Sequence, residues 1–225
     1  MTVKNRSPGS TRRAEALSKD RIVETAIGIL DADGDNGLTF RALSARLETG
    51  SGAIYWHVAD KQALLDAATD HVMARVMEKG FKGAPREAIK AIALGIFDAI
   101  EAHPWIGAHL TRAPWQIAMI RIVEGLGVQV QQLGVPAAAQ FDAWSTLINY
   151  ILGVAGQNAA NDRVLPPGTD RSESLSTVIH RWANNSSKPL PFLESIAKQL
   201  VEHDDRAQFL AGVDLILRGI DGNQL

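Results

Sequence analysis

The sequence predicts an all-α fold, in one large domain or a small one plus a medium one. Three observations carry this. Apolar residues recur at spacings of three and four through almost every segment. No stretch sustains the period-two alternation of a strand. Gly, Pro and Asp clusters cut the chain into helix-sized pieces. With 225 residues, 46% of them apolar, there is enough chain for a sizeable core.

Taken in order, Ser18 opens a helix over 18–32 whose stripe is Ile22, Val23, Ala26, Ile27 and Leu30, and Asp33-Gly34-Asp35-Asn36-Gly37 ends it. Thr39 caps a second helix, with Leu43 and Leu47 one turn apart, and Gly50 supplies a sharp reversal. The third, over 51–58, is short. Its Ile54 and Val58 pack inward, leaving Ser51, Gly52, Ala53, Tyr55, Trp56 and His57 on other faces. Asp60 caps a helix over 61–79 that carries Leu64, Leu65, Ala68, Val72 and Val76, with Gly80 and Gly83 as its break. Pro85 opens the next, with Ile89, Ile92, Ala93, Ile96, Phe97 and Ile100, ending at His103-Pro104. A short helix spans 104–111. Beyond Pro114 a long stripe of Met119, Ile122, Leu126, Val130 and Leu133 closes at Gly134 and Pro136. Helices over 141–160, 172–183, 192–200 and 205–220 complete the set, with a loop at 162–170 around Pro166-Pro167-Gly168.

Two short helices joined by a tight turn and followed at once by another, over 38–65, read as a helix-turn-helix. Tyr55, Trp56 and His57, with Arg41 and Lys61 nearby, form a surface suited to phosphates and base edges. The competing reading makes the aromatic trio a half-buried brace under the next helix.

These residues carry a resemblance. GLTFRALSARL followed by AIYWHVADKQALLD resembles the DNA-binding domain of the tetracycline-repressor (TetR) family, over residues 18–76. The resemblance implies a one-component transcriptional regulator, a repressor that binds a palindromic operator as a homodimer and is released by a small molecule. It implies domains at 18–60 for DNA binding, 61–79 as a linking helix and 80–225 for effector binding and dimerisation. Thr39, Arg41, Ser51, Gly52, Ala53, Tyr55, Trp56, His57 and Lys61 become the expected DNA contacts. Departures from the tetracycline-responsive members are visible. Ser51, Gly52 and Ala53 stand where those members place Gln, Pro and Thr, and Phe40 replaces a Thr beside Arg41. A different operator follows, with Arg41 as the base reader, Ala53 able to meet a thymine methyl, and Tyr55, His57 and Lys61 on phosphates.

Composition narrows the class further. There are no cysteines, so disulfide scaffolds, zinc knuckles and thiol catalysis are excluded, in keeping with a cytoplasmic protein. The net charge of −2 is uneven. Lys4, Arg6, Arg12, Arg13, Lys19 and Arg21 face only Glu15 and Asp20 near the N-terminus. Residues 1–17 therefore read as a flexible basic arm that touches DNA or stays solvated. No membrane segment is expected, because the uncharged stretch 143–161 carries Asn149, Gln157, Asn158 and Asn161. No HExxH, Gly-x-Ser-x-Gly, Walker or dinucleotide motif occurs, and neither catalytic residues, a metal site nor a cofactor are expected.

In the C-terminal part, Trp105, Trp115, Trp144 and Trp182 are interleaved with His109, Arg112, Gln116, Asn149 and Gln157, the mixture of apolar walls and few polar groups that effector pockets use. His109-Leu110-Thr111-Arg112 loosely resembles the drug-contacting loop of the tetracycline repressors, while Met77 stands where those carry a drug-binding His. The expected ligand site is Met77, Trp105, His109, Arg112, Trp115, Gln116, Trp144 and Asn149, for a small, mainly apolar effector. The helices over 141–160 and 205–220 carry more apolar surface than one core needs, giving a homodimer interface of Ile148, Leu152, Ala155, Phe209, Val213, Ile216 and Leu217. Both could instead be central helices of a monomer. A ligand-independent DNA-binding regulator, and an enzyme retaining a helix-turn-helix, are the alternatives in function.

Overall fold

The computed structural model describes residues 17–78, 83–112, 116–164 and 170–222. The expected basic arm, apart from Leu17, and the Pro166-Pro167-Gly168 loop lie outside them. The described residues are helical, without strands, in two compact units that divide between Leu64 and Leu65.

In the first unit, α1 (Lys19–Gly37) starts where Ser18 accepts a hydrogen bond from the Arg21 N–H at 3.2 Å. It buries Ile22, Val23, Ala26, Ile29 and Leu30, with Ile29 rather than Ile27 completing the stripe. The Asp-Gly run does not end it at residue 32. Gly34, at φ 67° and ψ −168°, kinks the helix, and one more turn follows to Gly37. Thr39 caps α2 (Phe40–Leu47), accepting from the Ala42 N–H at 3.1 Å, and Leu43 and Leu47 are buried. The reversal after α2 falls on Glu48, left-handed at φ 52°, whose N–H bonds the Ser44 carbonyl. Gly50 is extended at φ −77° and caps α3, so the left-handed position is two residues earlier than expected. α3 (Ser51–Tyr55) is shorter than predicted. The Ile54 carbonyl accepts from both His57 and Val58, turning the chain after one and a half turns of helix.

α4 (Lys61–Glu78) is capped by Asp60, which accepts from the Ala63 N–H at 2.8 Å. The second unit holds the rest of it and seven further helices among the described residues. These are α5 (Pro85–Ala102), α6 (Trp105–Arg112), α7 (Ile117–Gln132), α8 (Ala137–Val164), α9 (Arg171–Asn185), α10 (Pro191–Glu202) and α11 (Asp205–Gly222). α5 is the centre, packed against α6, α7, α8 and α11, with eight of its residues buried. α8 runs past both expected ends, starting directly after Pro136, where proline presets the first turn. Among the described residues no helix is long and apolar enough to cross a membrane.

α11 belongs to this core. Its Phe209 meets Phe97 of α5 at 4.7 Å between ring centroids and stacks on Tyr150 of α8 at 5.7 Å. The Tyr150 hydroxyl donates to the Phe209 carbonyl at 3.1 Å and fills the space that a Cβ at residue 212 would take, so only glycine fits there. Lys90 of α5 pairs with Asp214 at 2.9 Å. Hence Phe209, Val213, Leu217, Ile148 and Ala155, expected at a dimer interface, are buried within a single chain. The wide apolar band of α11 serves its own core first. Ile216 and Leu152, from the same expected set, are half-exposed.

Candidate DNA interface and effector site

The end of α3 exposes the aromatic trio. Trp56 is 90% exposed and Tyr55 54%, and His57 is exposed beside them, which overturns the half-buried brace. Phe40, first residue of α2, stacks flat on Tyr55, with centroids 4.2 Å apart and planes 6° from parallel. Arg41, Ser51 and Gly52 are exposed and Ala53 half-exposed. A Cβ at residue 52 would meet nothing within 4 Å, so this glycine leaves open space at the start of the short helix. Thr39 spends its acceptor oxygen on its own cap. Lys61, at the start of α4, is held by Asp35, its Nζ 2.8 Å from the carboxylate and 2.6 Å from the backbone carbonyl. Sequence reasoning missed Asp35.

The second unit brings together part of the expected effector set. His109 and Trp105 of α6 are buried, and Gln116 at the head of α7 donates from Nε2 to the His109 carbonyl at 3.4 Å. His109 Nε2 lies 2.9 Å from Asp66 of α4, an unexpected partner. Gln116 is only 8% exposed, and its Oε1 is buried without a hydrogen bond. His71 Nε2 on α4 and Asn158 Nδ2 on α8 are likewise buried and unpaired. Such orphaned groups carry a desolvation penalty that a bound partner would relieve. Met77 is half-buried, its thioether end lying where a Cβ on Gly125 of α7 would be. Arg112 is exposed, and Trp115 lies outside the described residues.

Two expected ligand residues are elsewhere. Trp144 lines a groove of about 240 Å³ between α7 and α8 with Val128, Gln131, Gln140 and Phe141. Asn149 is exposed and donates to Ser145 one turn back on α8, so it cannot line an internal site beside His109. The helical period explains Asn149, since its neighbours Leu147, Ile148 and Ile151 take the inward positions. A sequence signal for the missed α4 residues did exist. Asp66 and Asp70 are one turn apart on that helix, and Asp70 bonds Arg121 of α7 at 2.8 Å.

With this geometry in hand, comparison with known proteins is specific. Residues 81–223 match the tetracyclin repressor-like C-terminal domain. The transcriptional regulator SCO7222, a TetR protein of Streptomyces coelicolor, is 48% identical and superimposes with a TM-score of 0.81, over 91% of this chain and 97% of that one. BioQ, crystallised with its double-stranded DNA operator, is 33% identical with a TM-score of 0.56, over 64% of this chain and 88% of that one. An HTH-type transcriptional regulator of Saccharopolyspora erythraea is 33% identical over 105 residues, so the match spans less than half of that relative (44%) and 46% of this chain. A C-terminal domain match and a full-length structural relative meet a helix-turn-helix with exposed aromatics: the chain belongs to the tetracycline-repressor (TetR) family of transcriptional regulators.

Proposed function

We propose that this chain is a cytoplasmic repressor that reads a palindromic operator as a homodimer and releases it when a small molecule binds the second unit. The observation that carries the DNA half is the end of α3, which leaves Tyr55, Trp56 and His57 in solvent, with Arg41 exposed and the Lys61 side chain 42% exposed in the same unit. Arg41 reads a base, most simply guanine through a bidentate contact. Ala53 meets a thymine methyl, and Thr39, Ser51, Gly52 and Trp56 line the approach. Tyr55, His57 and Lys61 hold phosphates. Residues 18–60 are the reading domain, 61–79 the link, and 80–225 the effector and dimer domain.

The effector half rests on the orphaned Gln116 oxygen next to His109 and Trp105. That acceptor adds a requirement to the apolar body expected from the sequence: the effector carries a hydrogen-bond donor. α4 has Lys61 at its first residue and Asp66, His71 and Met77 farther along. One helix therefore serves both the DNA contact and the effector site, and a ligand that favours another setting of α4 lowers DNA affinity. The dimer face is the outer surface of α8 and α11, where Leu215 is 65% exposed. Ile216, Gly219 and Ile220 there join Val135, Ala139, Ala143 and Thr146 around a depression of about 360 Å³.

Titration against DNA flanking the gene for this chain tests the reading. Arg41→Ala is expected to cost about 1–3 kcal/mol and to relax preference at one position per half-site, whereas Lys61→Ala weakens operator and random duplex alike. A wild-type chain that binds operator no better than random duplex overturns it.

A further inference from the structure

Lys61, the phosphate anchor in the reading above, is already occupied. Its ammonium has three protons. One goes to the Asp35 carboxylate at 2.8 Å and another to the carbonyl of the same residue at 2.6 Å. This double hold comes from the break in α1. Gly34 adopts φ 67° and ψ −168°, and the turn after it presents both the side chain and the carbonyl of Asp35 to Lys61. Asp35 lies in the last turn of α1, where helix carbonyls lack a partner four positions on; its carbonyl accepts from the Leu38 N–H at 3.2 Å and has a second lone pair for Lys61. Both partners remain about half-exposed, at 42% and 50%, so the pair can exchange with another anion.

We propose that Asp35 is a built-in competitor of the DNA phosphate for Lys61, and so sets the affinity and salt dependence of DNA binding. In the free protein the pair is locally neutral. When DNA arrives, Lys61 takes a phosphate and displaces cations from the duplex, while the released carboxylate, now beside a polyanion, takes cations up. The two ion movements oppose each other, and the net release is smaller than for a free lysine. Asp35 thus weakens binding to every sequence equally, raising the share of affinity that must come from base contacts. The inference rests on Lys61 as a phosphate contact, and the experiment separates the two.

The experiment is fluorescence anisotropy of the full chain with a labelled random-sequence duplex, over a series of potassium chloride concentrations, for wild type, Asp35→Asn, Lys61→Ala and the double variant. Asp35→Asn is expected to tighten binding by roughly two- to fivefold per protomer, the scale of an exposed ion pair. Its slope of log K against log salt should steepen by up to about 0.9 per protomer. In the Lys61→Ala background, Asp35→Asn should tighten binding less than it does in wild type, because there is no Lys61 pair to break. A gain of affinity is not what loss of a structural contact produces, and thermal unfolding of each variant checks that the fold is kept. Asp35→Asn binding more weakly or equally, while Lys61→Ala still weakens binding, overturns the competition alone, since Asp35 would then orient Lys61 or stand apart. Lys61→Ala binding as well as wild type overturns the phosphate contact and the competition together.

Discussion

Phe40 lies flat against Tyr55, one ring from the first residue of α2 and the other from the last residue of α3, with planes 6° from parallel. This contact fixes the direction of a phenol that is otherwise half in solvent. A side chain held before DNA arrives loses less rotamer freedom on binding. Phe40→Ala is expected to weaken binding roughly 2- to 12-fold, the scale of an aromatic stack of about 0.5–1.5 kcal/mol. The same substitution made on top of Tyr55→Ala should add little. Titrations of both single variants and the double variant check this; fully additive losses would show that Phe40 does not act through Tyr55.

On α11 the proposed dimer face and the buried core are expected to respond differently to substitution. Val213 is fully buried, whereas Leu215 is 65% exposed two residues later. Val213→Glu should unfold the second unit, because it buries an unpaired charge. Leu215→Glu should keep the helical signal and thermal transition while giving monomers that lose operator binding. Sedimentation and circular dichroism of both variants decide. A wild-type chain that sediments as a monomer at micromolar concentration contradicts the proposed dimer.

Effector binding can be followed from both ends. A true inducer must weaken DNA, and by linkage operator must weaken the inducer by the same factor, about 5- to 150-fold for a coupling of about 1–3 kcal/mol. Gln116→Met removes the orphaned acceptor together with the 3.4 Å donation to the His109 carbonyl, so its two effects on stability oppose each other, while ligands that carry a donor should bind more weakly. Ligand titrations with and without operator, on wild type and Gln116→Met, test this. A compound bound equally well in both conditions is not the inducer.

Acid should loosen the attachment of α11. The Lys90 ammonium, through its hydrogen bond above all and then its charge, holds the Asp214 carboxyl below its ordinary value, against the opposing effect of burial. A depressed carboxylate contributes stability that is complete above its unfolded pKa of about 3.9 and disappears as pH falls through its lower folded value. Thermal unfolding from neutral pH down to that acid range should show a loss of stability that is smaller in Asp214→Asn. Equal acid sensitivity in both proteins would place the acid transition in other groups.

What the sequence made legible was local. Thr39 and Asp60 cap the helices they were expected to cap, and Ser18, expected at the start of the first helix, caps it, because a short polar side chain and the N–H groups it satisfies lie within three residues. The exposure of Tyr55, Trp56 and His57 followed from the shortness of their helix. Contacts between distant residues were not legible. Lys61 meets Asp35 across 26 positions and His109 meets Asp66 across 43, and no spacing rule encodes such pairings. The apolar breadth of α11 was legible, but not its partner. Amphipathic period tells how much surface a helix must bury, and only the arrangement of α5, α8 and α11 decides that Phe209, Val213 and Leu217 meet their own chain. Glu48 in place of Gly50 shows a further gap: a left-handed residue is favoured, not required, to be glycine, so the turn can close earlier than composition suggests.

The Tyr150 hydroxyl seated where a Cβ of residue 212 would stand makes α8 and α11 a keyed joint. Sliding either helix by one residue would drive a neighbouring Cβ into the phenol, and close-packed interiors do not yield to that. Sliding one helix past the other is therefore costly. The opposite arrangement holds where Met77 of α4 meets Gly125 of α7, a flexible thioether against bare backbone. The α8–α11 contact is thus a rigid fit of ring against backbone, whereas the contact of Met77 with Gly125 can adjust by rotation of the thioether alone.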